Sequence, residues 1–211
     1  MSEEGDKAGD RALDAFLGLI AEKGYADVAL RDVAQAAGLG FADLYRLHPD
    51  KLSLAAAFMA RIDGEVLAGT PCSSDPEETA RDRLFDVMMR RYDALKPHRA
   101  ALRALRRAGT RDPILALAMG PALRRSMAAM LEAASLASEG LPGALRQNGL
   151  LAIHYAVSRV FDGDETQDLS KTMAALDNRL KMAERWSQLF DKYVKSPGAR
   201  PQPEPSGSSE A

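Results

Sequence analysis

Apolar residues along this chain recur at intervals of three and four. No stretch alternates apolar and polar with period two, so the pattern predicts helices and no strands. Leu13, Phe16, Leu17 and Ile20 form one stripe over a first helix from about Lys7 to Lys23, and Gly24 is placed to end it. In "DVAQAAGLGFADLYRLHPDK", residues 32–51, Val33, Ala36 and Ala37 keep helical spacing, Gly38 breaks it, and Leu44, Leu47 and Leu52 resume it. Two short helices follow, Leu30 to Ala37 and Phe41 to Leu47, joined by a tight turn. Asp50 is an N-cap for a longer helix through about Leu67.

"GTPCSSDPEE" is a linker, with Ser74 or Asp75 as a cap and Pro76 at a first helical position. The next helix carries Leu84, Val87, Met88 and Tyr92 on one face. Pro97 opens "HRAALRALRRAG", which Gly109 ends, and Asp112-Pro113 starts a further helix in which Gly120-Pro121 predicts a kink or break. Leu141-Pro142 starts another, through about Phe161, and the last runs from Asp168 to about Lys195. The fold class is all-α with about nine helices: a three-helix head over residues 1–68, a larger helical domain over 69–195, and a Pro/Gly/Ser tail over 196–211 expected to be disordered. There is no internal repeat.

Composition narrows the setting. The 211 residues are ample for a buried core. Cys72 is the only cysteine, which suits a reducing cytoplasm. The acidic, polar N-terminus does not read as a signal peptide. No apolar run approaches 18 residues, so no membrane-spanning segment is predicted. The formal net charge of −2 conceals an asymmetry. Residues 1–70 hold seven Lys/Arg against twelve Asp/Glu, a net of −5, while residues 81–125 hold twelve against four, a net of +8. The acidic part is the one with the helix-turn-helix pattern, the reverse of what phosphate binding favours.

The first 65 residues resemble the TetR family of helical transcription regulators. The resemblance rests on Gly24-Tyr25 after the first helix, Val33-Ala34, Gly38 at the turn, Tyr45 on the second short helix, and Pro49-Asp50-Lys51 opening the fourth helix. It implies a homodimer that binds DNA, with Arg31, Gly40, Phe41, Tyr45, Arg46 and Lys51 as the DNA-facing set. Tyr45, Arg46, Arg31 and Lys51 would meet phosphates and Phe41 a thymine methyl. Phe41 equally reads as an exposed hydrophobe or a contact to a neighbouring subunit. The sequence also departs from the family pattern. Ala29, Gly40 and Asp43 replace the usual hydroxyl residues, and His48 replaces a Phe. Asp43 puts an acid where a phosphate would pass.

A second resemblance covers roughly residues 81–190, through "RLFDVMMRRYDALKPHRAALRAL" and "DLSKTMAALDNRLKMAERW". These are similar to the lipid-binding accessory proteins of ubiquinone biosynthesis, which share the TetR-type fold and are held to bind isoprenoid lipids. The family's eukaryotic members end in an extra amphipathic helix, whereas this chain ends in a Pro-rich tail.

Met88, Met89, Met119, Met127, Met130, Met173 and Met182 are dense for one bundle, as ordinary core or as adaptable cavity wall. Met88, Met127, Met130 and Leu131 are the candidate lining of a pocket for an apolar small molecule or lipid. Leu176, Leu180, Ala183, Trp186, Phe190 and Tyr193 form a stripe that closes a pocket or makes a dimer seam. The resemblance favours the dimer, with Tyr155, Leu180, Trp186 and Phe190 in the interface. The basic run Arg90, Arg91, Lys96, Arg99, Arg103, Arg106, Arg107 and Arg111 has three readings: a solvated face, a site for an anion or acidic partner, or a surface for anionic lipid.

No catalytic set, cofactor motif or metal site is predicted, so the chain does not read as an enzyme. Asp162, Asp164 and Asp168 start like a calcium loop, but Gln167 and Met173 stand where such a loop needs Gly and Glu, and the acids read as caps for the last helix. His48, His98 and His154 have no ligand or triad spacing. Two functions follow: a DNA-binding, ligand-sensing regulator, or a lipid-binding accessory protein on the same fold that does not bind DNA.

Overall fold

A computed structural model of the chain describes residues 3–71 and 77–194, with side chains through Arg185. All regular structure among the described residues is helical: α1 Glu3–Lys23, α2 Leu30–Ala36, α3 Phe41–Leu47, α4 Lys51–Ala68, α5 Ala80–Leu95, α6 Arg99–Arg111, α7 Pro113–Ala133, α8 Gly140–Gly163 and α9 Ser170–Val194, with a 3-10 turn over Lys96–His98. The proposed caps at Ser74 and Asp75, Pro76 and the 196–211 tail lie outside the described residues.

Local chemistry explains most boundaries. Gly24 sits at φ +90° just past α1, and its N–H donates to the Ile20 carbonyl. Gly38 follows α2 at φ +64°; its N–H donates to Gln35 O and that of Leu39 to Ala34 O, closing the helix in a Schellman turn. Arg11 of α1 donates a further hydrogen bond to Ala37 O at 3.3 Å, which fixes this turn to the first helix. Asp50 caps α4 by accepting from Ser53 N at 2.7 Å. Asp112 caps α7 by accepting from Ile114 N and Leu115 N at 3.0 and 3.1 Å.

α5 starts at Ala80 behind Thr79, whose hydroxyl accepts from Asp82 N. Two expected helix ends, at Gly109 and at Gly120-Pro121, need correction. Gly109 does not end α6, which continues to Arg111. Gly120-Pro121 does not break α7. The residue before a proline is normally driven out of the helical region because its Cβ and N–H meet the proline ring, and glycine, lacking a Cβ, removes part of that clash. α7 also contains an 18-residue window of mean hydropathy 1.3, which has the length and composition of a membrane span and nothing further to mark it as one. Here it packs against α4, α5, α6 and α8 as one helix of the bundle.

One core runs through head and body, from Phe16, Leu44 and Phe58 to Met88, Met127 and Phe161. Each such side chain contributes about 1.5–3 kcal/mol on burial. α4 carries the head onto the body by packing on α5 and α7, and α1 rests on α6.

The basic run is divided among several tasks. Lys96, Arg99 and Arg103 donate to the carbonyls of Gln167, Asp164 and Asp162, and Arg106 pairs with the Asp162 carboxylate. Three arginines thus gather at the C-terminal end of α8, where carbonyls lack helical partners and the dipole is negative, and Lys96 holds the turn that follows. This accounts for half of a run that reads, in sequence, as a solvated face or an anion site.

Asp164, Thr166 and Thr172 hold the α8–α9 turn. The buried Asp164 carboxylate accepts from Thr172 N at 2.7 Å, Thr172 Oγ1 at 2.8 Å, and the N–H and hydroxyl of Thr166. Burial pushes its pKa up, but these hydrogen bonds outweigh burial and hold it well below the ordinary 3.8. Asp164→Asn is therefore expected to destabilise the protein by about 1.5–3 kcal/mol at pH 7. A carboxyl with a lowered folded pKa contributes its stability above the unfolded value and loses it as pH falls through the folded one. The variant's deficit in urea unfolding should be constant from pH 5 to 8 and shrink below about pH 4. A deficit unchanged at pH 3 would show that the carboxylate's charge contributes nothing.

Candidate nucleic-acid interface and body cavity

α3 is held by one buried side chain, Leu44. Its remaining surface is open: Phe41 is 44% exposed and Tyr45 56% exposed, with ring centroids 6.5 Å apart. The Arg31 guanidinium, from α2, lies 5.5 Å from the Phe41 ring centre. Arg31, Phe41 and Tyr45 thus form one exposed cationic and aromatic patch, bringing together three of the six residues predicted to face DNA.

The other three are placed differently. Arg46 is paired with Asp43 at 2.5 Å, both side chains exposed. Gly40 is the N-cap of α3, and the Asp43 carboxylate folds back over it: a Cβ at position 40 would lie 2.7 Å from Asp43 Oδ2. Gly40 and Asp43, which look like two unrelated departures in the sequence, are therefore mutually accommodated. Lys51 does not project freely. Its ammonium donates to Tyr25 O at 2.7 Å and sits 4.4 Å from the Tyr25 ring centre. Burial lowers its pKa, partly offset by Asp27. Lys51 and Tyr25 pin the start of α4 to the α1–α2 loop. Ala29, at the α2 N-cap, supplies no side-chain acceptor; its N–H instead donates to Asp32 Oδ2 at 2.9 Å.

The body holds a cavity of about 590 Å³ between α5, α6, α7 and α8, with Met59 of α4 at its edge. Such a volume falls within the range common for small-molecule sites. Its apolar wall includes Leu102, Leu105, Met119, Leu123 and Leu151. The four residues proposed from sequence are elsewhere: Met88, Met127, Met130 and Leu131 are fully or nearly fully buried in the core, and none lines this cavity. Met119 alone of the methionines noted in sequence lines it, together with Tyr155, which sequence reasoning assigned to a dimer seam.

Polar groups converge at one part of the wall. Arg91 is completely buried; its Nη1 pairs with Asp63 of α4, which also accepts from Ser126 Oγ at 2.6 Å. Tyr92 Oη and His154 Nδ1 are 3.1 Å apart. Burial first, and the neighbouring Arg91 and Arg106 next, push the His154 pKa down to about 3, so its imidazole is neutral at physiological pH. Sequence reasoning missed this cluster. Its readable sign was Arg91 itself, placed with Leu84, Met88 and Leu95 on the apolar stripe of α5.

The proposed dimer residues also separate. Leu180 is 4% exposed and packs inside its own protomer with Leu176. The side chains of Trp186 and Phe190 lie outside the described residues. What α8 does expose is Leu141, Leu145, Ala152 and Tyr155, at spacings of four, seven and three on one face, while α9 exposes Met173 and Met182.

No protein-family model and no curated protein matches this sequence. Solved structures do match its fold. A TetR transcriptional regulator from Nitrosomonas europaea ATCC 19718 is 21% identical, aligns over 84% of this chain and 98% of its own, and superposes with a TM-score of 0.67. A TetR transcriptional regulator from Rhodococcus sp. RHA1 is 23% identical over 85% of this chain and 97% of its own, with a TM-score of 0.61. A tetR-family transcriptional regulator from Streptomyces coelicolor is 18% identical over 93% of this chain and 87% of its own, with a TM-score of 0.59. These likenesses add nothing to the second resemblance, over residues 81–190. Helix order, head and body together give this chain the fold seen in TetR-type transcriptional regulators.

Proposed function

We propose that the protein is a TetR-type transcription regulator in the cytoplasm, binding DNA as a homodimer through α2 and α3 and sensing a small, largely apolar molecule in the body cavity. The observation that carries this reading is the open face of α3. A two-helix unit, tied by Gly38, Arg11 and Leu44, presents partly exposed Arg31, Phe41 and Tyr45 to solvent. Side chains of this kind on a second helix suit insertion into a major groove. α6 supplies the link between sites. Leu102, Leu105 and Arg106 face the cavity, while Ala104, Arg107 and Arg111 border the cleft beneath the head. A ligand that favours one seating of α6 would shift DNA affinity, as differential binding requires.

The acidity of the head runs against DNA binding, and Asp43 concentrates it. Asp43→Thr removes a negative charge beside the expected phosphate path and frees Arg46 from its pair. On the regulator reading the variant should bind a random-sequence duplex about three- to tenfold more tightly at low salt, on the order of 1 kcal/mol. Fluorescence anisotropy across a salt series would read this, with affinity falling as salt rises. Unchanged binding at low salt would show that Asp43 faces away from DNA, and absence of any duplex binding by either form would favour the accessory-protein reading.

A further inference from the structure

The cavity wall is apolar over most of its extent, yet both of its charged residues are arginines, and no Asp or Glu lines it. Arg91, completely buried, has a guanidinium with one donor left over: Nη1 is taken by Asp63, Nη2 lies 3.7 Å from Met59 Sδ, and Nε has no hydrogen-bond partner among the described residues. A thioether sulfur is a weak acceptor, and an unpaired buried N–H on a cation is costly, so this wall lacks an acceptor. Arg106 enters from α6, pairing through Nη2 with Asp162. His154, kept neutral by its burial first and by the two arginines next, adds no competing charge. Thr110, Asn148 and Ser158 supply further neutral polar groups on the wall.

We propose that the cavity takes an amphipathic monocarboxylate, its acyl or aryl body against Leu102, Leu105, Met119, Leu123 and Leu151 and its carboxylate on Arg91 and Arg106. The inference rests on the sensor reading above and names its ligand class. Each arginine already has one carboxylate partner, so what the pair of guanidinium groups can still offer a ligand is N–H donors, the unpartnered Arg91 Nε–H above all. A cation would offer these donors no acceptor, and a neutral molecule would forgo the charge-assisted bond.

Calorimetry on the intact protein with dodecanoate, dodecan-1-ol and dodecyltrimethylammonium, each below its micellar concentration, tests this. Dodecanoate should bind about tenfold or more tighter than the alcohol, with the cation weakest. Because Arg91 is tied to Asp63 and its loss threatens folding, Arg106→Gln is the informative variant. It should bring acid and alcohol to within about threefold of each other by weakening only the acid. Met119→Trp, which fills the cavity, should weaken both. Equal binding of acid and alcohol by the wild type would overturn the proposal and leave a neutral apolar sensor. Dodecanoate binding untouched by Met119→Trp would place it outside the cavity and overturn it too. No binding of any probe would overturn both this proposal and the sensor reading.

Discussion

Asp63→Ala is expected to cost about 3–5 kcal/mol of stability, a large part of the 5–15 kcal/mol that a folded domain commonly has. Asp63 is the anionic partner of a guanidinium with no access to solvent, and it also accepts from Ser126 of α7. Its removal leaves a buried positive charge and a buried hydroxyl without that acceptor, and loosens α4 from α5 and α7, the seam by which head and body meet. Chemical denaturation at pH 7 should show the midpoint falling sharply. The exposed pair Arg61–Asp14, 2.7 Å apart, makes the control: Asp14→Ala should cost less than about 1 kcal/mol, because water and salt screen that pair. Arg91→Met with Asp63→Ala should recover much of the loss, since an apolar side chain has no charge to strand. A single Asp63→Ala cost below about 1 kcal/mol would show that Arg91 finds another partner.

If the proposed homodimer meets through the exposed apolar face of α8, Leu145→Asp is expected to split it while leaving the protomer folded. Leu145 is 64% exposed on the protomer, so the substitution disturbs no internal packing. In a two-fold interface every residue occurs twice, and one substitution places two unpaired carboxylates in the seam. Self-association should weaken by about a hundredfold or more, roughly 3 kcal/mol. Sedimentation analysis would show monomers that keep the wild-type helical content by circular dichroism, and affinity for a two-half-site duplex should fall in parallel. A variant still sedimenting as the same dimer would place the interface off this face of α8.

The parts of the fold legible in the sequence are those written in local chemistry. Asp50 and Asp112 cap as read, Gly24 and Gly38 take the left-handed backbone that ends a helix, and α3 spans Phe41–Leu47 as the pattern predicts. Gly109 misled because a glycine ends a helix only when it lies just past the last turn at positive φ; here the stop comes with Asp112-Pro113. The cavity was not legible. Met127 and Leu123 both belong to an apolar face of α7, and only the separation of α7 from α6 and α8 decides which of them meets a void. The dimer stripe failed for the same reason: Leu180 has the spacing of an apolar seam, but its partners are within its own chain. Nor does the sequence pair Arg106 with Asp162, which lie 56 residues apart. Long-range pairing turned half of a basic run that looked available for an anionic partner into a clamp on the end of α8 and the turn after it.

The reading surface remains the centre of the account. Selection of duplexes from a random-sequence pool by the intact protein, with sequencing of what is retained, tests it most directly. One enriched site with two-fold symmetry is expected, its half-sites about one helical turn or a multiple of it apart, near multiples of ~34–36 Å, with loss of enrichment when Arg31 and Tyr45 are both replaced by Ala. Recovery of no enriched sequence at low salt, by a protein shown to be folded and dimeric, would contradict it.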